Sequence, residues 1–366
     1  MTRPSHPVSQ FVASKRLTLA ATVSTALLVS TLASTPLQAQ ERDQFSVCWS
    51  IYAGWMPWGY AGTSGIVDRW ADRYDIDIEV IQVNDYVESI NQFTSGNVDG
   101  CAMTNMDALT LPAASGVDST ALIVGDYSDG NDGVVLKNAD SLEEIAGREV
   151  NLVQFSVSHY LLARALESIG LSERDVTTIN TGDADIASLY ASRDNIDAVV
   201  TWNPQLSTVT QVEDSNLVFD SSQIPGEILD LMVVNTDTLA ANPELGHALV
   251  GAWYEVMGLM ADGDEAALTQ MAEAAGTDLA GYQEQLDATR LYTDPAEAIA
   301  LLESQELLDT MQRVAEFSFE KGLLGDMAPD AGVVGIETPQ GVFGDEGNVK
   351  LRFEPSFTQA YLDSLD

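Results

Sequence analysis

From residue 45 to residue 124, short apolar runs alternate with stretches of helical spacing, joined by only a few residues each, and few folds accommodate that alternation. Residues 45–51 form an apolar strand pattern, and Ile66, Trp70 and Tyr74 recur at four-residue steps as on a helix. Residues 76–83 alternate, 86–94 are helical and closed by Ser95-Gly96, 98–103 and 121–124 are again strand-like, and a short helix starts at Asp107. Such a β-α-β-α-β-α-β series buries its strands as a parallel sheet covered by helices. The polar, glycine-rich stretch 125–133 then interrupts, and a second series follows. It has strands at 150–153, 177–180 and 198–201 and helices at 158–169 and 185–191. Residues 229–235 are strand-like, 243–324 mostly amphipathic helix, and 349–353 a last strand. The pattern predicts an α/β protein of two lobes, with parallel sheets flanked by helices and a ligand cleft between them. The expected boundaries are 40–125 for the first part of lobe I and 126–228 for lobe II. Residues 229–366 return to lobe I and end in a helical C-terminal region.

Residues 1–39 have the layout of a secretory signal peptide: Arg3, Lys15 and Arg16 precede an uncharged apolar run over 19–33, and Leu37-Gln38-Ala39 offers small residues for cleavage. The run is too short to span a bilayer, which takes about 20 apolar residues. No cysteine follows the cleavage point to carry a lipid anchor. The expectation is an exported, monomeric periplasmic protein. Its 56 acidic residues face 16 basic ones, and losing the three basic residues of the leader moves the net charge from −40 to −43. That field repels nucleic acid and anionic lipid. The charge is spread along the chain, as on surfaces adapted to salt. The two cysteines, Cys48 and Cys101, fall in strands expected to be neighbours in a parallel sheet, where cross-strand geometry is poor for a bridge. Two small buried thiols are the expectation, with a disulfide as the alternative open to an exported pair.

Three indoles and two phenols crowd into residues 49–60, directly after the first strand. Rigid aromatic faces on a loop beyond a strand end are where an open α/β sheet places a small-molecule site.

Several segments carry a family resemblance. Gly96-Asn97-Val98-Asp99-Gly100, Gly147-Arg148-Glu149-Val150 and Asp197-Ala198-Val199-Val200-Thr201-Trp202-Asn203-Pro204 resemble the solute-binding proteins of nitrate/sulfonate/taurine-type ABC importers. The resemblance covers roughly residues 45–324. It implies a two-lobed periplasmic binding protein of type II, with an ABC permease as its partner and no enzymatic activity. Trp49 to Tyr60, Met103-Thr104-Asn105-Met106-Asp107, Ser156-Val157-Ser158-His159-Tyr160 and Ile224-Pro225-Gly226-Glu227 resemble more narrowly the subgroup whose transporter accompanies urea carboxylase. By association that implies urea or guanidine as ligand.

The residues can be questioned without the family. Oxyanion sites use Arg, Lys or backbone N–H groups at helix starts. No basic residue lies in 52–60, 84–88, 104–107, 125–133, 202–207 or 224–230. The same loops hold Asp85, Glu88, Asp107, Asp126, Asp129, Asp132, Glu227 and Asp230, together with Trp55, Trp58, Tyr60, Tyr86, Tyr127 and Trp202. Carboxylates beside indoles suit a small planar cation. Guanidinium offers N–H pairs to a carboxylate and a flat face to an aromatic ring. Urea has the same shape without the charge, and an anion such as nitrate or a sulfonate is the remaining alternative. The residues selected for the ligand are Trp58 and Trp202 as a clamp from opposite lobes, Asp107 and Glu227 as counter-charges, and Ser158, His159, Tyr60, Glu88 and Asp126. Competing roles are lobe core for the indoles, helix cap for Asp107 and Ser158, solvated loop charge for Glu227, structural polar residue for His159 and hinge residue for Asp126.

Enzyme chemistry finds little support. Ser158 and His159 are adjacent rather than converging, no Gly-x-Ser-x-Gly elbow is present, and His159 and His247 show no metal spacing. The thiamine-pyrimidine synthases share this fold class but carry a cysteine-rich motif that this sequence lacks. No cofactor or metal is expected.

Overall fold

The computed structural model describes residues 42–325 and 327–365, so the proposed leader lies outside the described residues. In chain order the strands are β1 (Gln44–Trp49), β2 (Asp77–Gln82), β3 (Gly100–Thr104), β4 (Ser119–Ser128), β5 (Asp132–Lys137), β6 (Glu149–Leu152) and β7 (Thr177–Asn180). They continue with β8 (Ala198–Trp202), β9 (Ser215–Asp220), β10 (Leu229–Asn235), β11 (Thr289–Leu291), β12 (Gly335–Thr338), β13 (Gly341–Phe343) and β14 (Val349–Phe353). Lobe I is built on the sheet β13-β12-β14-β4-β10-β3-β1-β2, with β11 added alongside β4, and lobe II on the sheet β7-β6-β8-β5-β9. Helices cover both, and the apolar strand residues Val47, Met103, Val124, Val200 and Val233 are fully buried.

The sheets are mixed, not parallel as the alternation predicts. Strand β10 runs antiparallel to β3 and β4, and β5 runs antiparallel to β8 and β9. The reason is topological. Both strands follow a crossing between lobes and enter their sheet at the cleft: Asp230 pairs with Thr104 at the end of β3, and Asp132 with Trp202 at the end of β8. Starting where their βαβ neighbours finish, they must run against them.

The glycine-rich stretch 125–133 is also less of a loop than its polarity implies. Strand β4 continues through Ser128 and β5 starts at Asp132. Asp126, Ser128, Asn131 and Asp132 are buried there, so the polarity belongs to the cleft.

Cys48 and Cys101 form a disulfide, contrary to the expectation of free thiols. They are register partners across the parallel pair β1–β3, with Cα atoms 4.3 Å apart. Direct opposition in register supplies the proximity that neighbouring strands do not guarantee.

Candidate site between the lobes

The chain leaves β1 through Ser50 and Tyr52, makes a tight turn over Ala53–Trp55 and enters the helix Met56–Thr63 with Pro57 in its first turn. The turn directs Tyr52 and Trp55 toward lobe II. Their rings meet edge to face with centroids 5.1 Å apart, and Trp55 lies 5.5 Å from Tyr86. From lobe II, Trp202 at the end of β8 packs edge-on to Tyr86 at 5.5 Å, and its indole N–H donates to the Ile51 carbonyl at 3.3 Å. A narrow pocket of about 10 Å³ results, lined by Tyr52, Trp55, Tyr86, Thr104, Asp132, Val157, Trp202 and Asp230.

Four buried aspartates surround this box. Asp126 and Asp230 are register partners on β4 and β10, and the Tyr52 hydroxyl donates to Asp126 Oδ1 at 3.0 Å. Asp132 begins β5 and accepts from Ser128 Oγ at 2.6 Å. Asp107 Oδ2 accepts from the Tyr86 hydroxyl at 2.6 Å, Thr104 Oγ1 at 2.9 Å and the Val157 N–H at 3.4 Å. Oxygens Asp107 Oδ1 and Asp126 Oδ2 are buried with no partner among the described residues. Among the described residues, none of the four forms an ion pair with Lys, Arg or His. Burial therefore pushes their pKa values up, to about 6 for Asp107 and about 7 for Asp132. For Asp126 and Asp230 burial raises both, and at Asp230 the facing Asp126 carboxylate adds to it. Gly54 is required beside them: a Cβ there would stand 2.5 Å from Asp126 Oδ2.

Of the residues selected from the sequence, Trp202, Asp107 and Asp126 come together here. Ser158 follows Val157 at the same helix start, its hydroxyl buried without a partner; the residue capping that helix is Ser156, whose side chain accepts from the Ser158 N–H.

The other placements are corrected. Trp58 lies inside the helix Met56–Thr63 and stacks on Trp253 at 5.1 Å in the core of lobe I; Trp55 holds the cleft position expected of it. Glu227 is consumed by an ion pair, taking Arg164 Nε at 2.9 Å, Arg164 Nη2 at 3.0 Å and the Tyr160 hydroxyl at 2.6 Å. Burial pushes Glu227 up, but these donors outweigh it and leave its pKa below the ordinary value. His159 accepts from the Phe155 N–H at 3.1 Å and pairs through Nε2 with Glu173, which also holds Lys321. Glu173 is lowered to about 2, chiefly by the His159 hydrogen bond. Tyr60 faces a larger hollow of about 680 Å³ on the outer side of lobe I, lined also by Asp72 and Glu79 and touching none of the four aspartates. Glu88 is exposed in the first turn of the helix Tyr86–Thr94 and bonds Gln92.

Trp55, Tyr86, Asp132 and Asp230, which the sequence offers among its polar and aromatic loop residues without singling them out, line this pocket, as do Tyr52 and Thr104. The available signal was an aspartate within the first two residues of otherwise apolar strands.

Fold and site define the class: a two-lobed α/β protein with an acidic, aromatic-lined pocket between its lobes. Residues 70–267, more than half of the chain, match the family model described as NMT1/THI5 like, and the chain belongs to that family. In fold it is similar to the alkanesulfonate-binding protein from Xanthomonas axonopodis pv. citri bound to MOPS, with a TM-score of 0.63, 16% identity, and coverage of 79% of this chain and 96% of that one. It is likewise similar to the periplasmic nitrate-binding protein from Synechocystis PCC 6803, with a TM-score of 0.57, 13% identity, and coverage of 90% of this chain and 100% of that one. The taurine-binding periplasmic protein of Escherichia coli (strain K12) is 27% identical over 115 residues, 31% of this chain and 35% of that protein, so the match spans about a third of that relative's length.

Proposed function

We propose that the protein is the extracytoplasmic solute-binding component of an ABC importer, delivering to a permease a small planar cation of the guanidinium type. The observation that carries this reading is the set of four buried aspartates, Asp107, Asp126, Asp132 and Asp230, without a basic partner among the described residues and with the rings of Tyr52, Trp55, Tyr86 and Trp202 beside them. A buried carboxylate without a counter-charge is costly. A cation that donates N–H bonds to two carboxylates and offers its face to an indole removes that cost and gains about 1.5–3 kcal/mol per charge-assisted bond. The relatives named above are binding proteins for taurine, alkanesulfonate and nitrate. The cleft here has the opposite charge to the one such oxyanions need.

Export by the leader and a periplasmic location belong to the same reading, as does binding without catalysis. The His159 ring is committed to Glu173 and the Phe155 N–H, so it does not serve Ser158 as a base. A thermal-shift screen tests the proposal. Ligand at about 100 times its dissociation constant adds about 2.7 kcal/mol of stability. Guanidinium at sub-denaturing concentration is expected to raise the melting temperature, with urea weaker and nitrate and taurine without effect. Stabilisation by nitrate or taurine alone overturns the ligand.

A further inference from the structure

Two helices point their N-termini at the cleft from opposite lobes: Tyr86–Thr94 in lobe I, with nine residues, and Val157–Ser168 in lobe II, with twelve. Free N–H groups and the helix dipole make such ends the natural seats for an oxyanion. Here each end receives a carboxylate from the other lobe. The Val157 N–H donates to Asp107 Oδ2 at 3.4 Å, and the Tyr86 N–H donates to Asp183 Oδ1 at 3.4 Å. The arrangement is reciprocal: Asp107 belongs to the segment after β3 in lobe I, and Asp183 opens the helix Asp183–Ser192 in lobe II. Both side chains are buried, and each keeps one oxygen, Asp107 Oδ1 and Asp183 Oδ2, without a partner among the described residues.

We propose that Asp107 and Asp183 are built-in surrogate anions: on closure each fills the anion seat at the other lobe's helix N-terminus, which excludes oxyanions and leaves its second oxygen for a cation. The inference rests on the cation reading above for the ligand that is admitted. It makes its own claim about what is refused and by which residues. It accounts for how one fold serves anion-binding relatives and a cleft of opposite charge. The N–H groups are retained, but the protein supplies the anion. It also accounts for two buried aspartates meeting helix starts across the cleft, where capping within a single lobe would have been the simpler arrangement. Asp85 and Ser156 already provide that local capping.

The test is calorimetric titration of nitrate and methanesulfonate into the wild type, into Asp107→Ser combined with Asp183→Ser, and into Asp107→Asn combined with Asp183→Asn. Measurements are made at a pH of about 7, above the values of about 6 to which burial raises Asp107 and Asp183, so that both seats hold carboxylates in the wild type. The serine pair empties both seats and is expected to bind at least one oxyanion about tenfold or more tightly than the wild type. The asparagine pair keeps an oxygen on each N–H and is expected to show no such gain. If the double serine variant does not fold, Asp183→Ser alone carries the same expectation, because its carboxylate is held across the cleft by a single N–H. A folded serine variant with no gain overturns the inference. So does a wild type that already binds nitrate, or an asparagine pair that gains as much as the serine pair. Guanidinium titrated into the wild type reports separately on the ligand: silence there defeats the cation reading, while the anion arm still decides the surrogate role.

Discussion

Asp126 and Asp230 face each other across the antiparallel strands β4 and β10, both buried, with the Tyr52 hydroxyl as a donor to Asp126 and, among the described residues, no ion pair to either. Like charges directly opposite on a sheet destabilise it, and more so away from water. Burial raises the pKa of both, this repulsion adds to it at Asp230, and on the proposed reading a bound cation would supply the missing counter-charge.

A pH dependence follows. Asp107 and Asp132 have folded-state pKa values of about 6 and about 7, against an ordinary value of 3.8. For a carboxyl whose folded pKa is raised, the stability it contributes is present in full below the unfolded value and is lost as pH rises through the folded one. The ligand-free melting temperature should therefore fall between pH values of about 5 and about 8. Glu173, lowered to about 2, acts in the opposite sense and only in more acidic solution. Affinity for a cation should rise over the same interval, because it needs the ionised carboxylates, and calorimetry in buffers of different ionisation enthalpy should record proton release.

Asp132→Asn and Asp230→Asn each remove a negative charge from the pocket wall while keeping its shape. Each should weaken guanidinium binding about tenfold or more. Each should also make the ligand-free protein melt higher near neutral pH, since the cost of holding a buried carboxyl, whether ionised or forced to take up a proton, is gone. Paired titrations and melting curves check both halves.

The two tryptophans of the proposed clamp separate cleanly. Trp58→Ala should cost about 3–5 kcal/mol of stability through the cavity left against Trp253, with little change in affinity for the folded fraction. Trp202→Ala should cost affinity, about threefold to thirtyfold for a lost cation–π wall. Denaturant melts and ligand titrations of the same samples distinguish the roles.

The architecture was legible because the two βα series announce themselves by period, and every strand of lobe II from β6 to β8 falls where the apolar runs stand. Strand direction was not legible. β5 and β10 have the same composition as parallel strands, and only the route between lobes reverses them. The site was half legible. A dense aromatic run and acid-rich loops pointed to the region where the buried aspartates gather. The choice between Trp55 and Trp58 depended on where one helix begins. Glu227 was misjudged because Arg164 reaches it from a helix 63 residues away in sequence, a contact no local pattern carries. Cys48 and Cys101 were misjudged because register, not strand adjacency, decides a bridge.

Gly54→Ala probes the crowding around Asp126. The added Cβ would press on Asp126 Oδ2 and on the Tyr52 ring, at 2.5 and 2.6 Å. The expected cost is about 1–3 kcal/mol of stability, with weaker ligand binding, read from denaturant melts and titration.

Removing the disulfide by Cys48→Ala with Cys101→Ala should lower stability by about 2–4 kcal/mol, since it closes a loop spanning 53 positions. Alkylation of the denatured wild type, followed by intact-mass analysis, should add no label until the protein is reduced.

Calorimetric titration of guanidinium into the ligand-free wild type at neutral pH tests the central claim most directly. A saturable heat with a dissociation constant of about micromolar or tighter, absent with nitrate and taurine, is the expected result. No heat with guanidinium, alongside saturable binding of nitrate or taurine, would contradict the account.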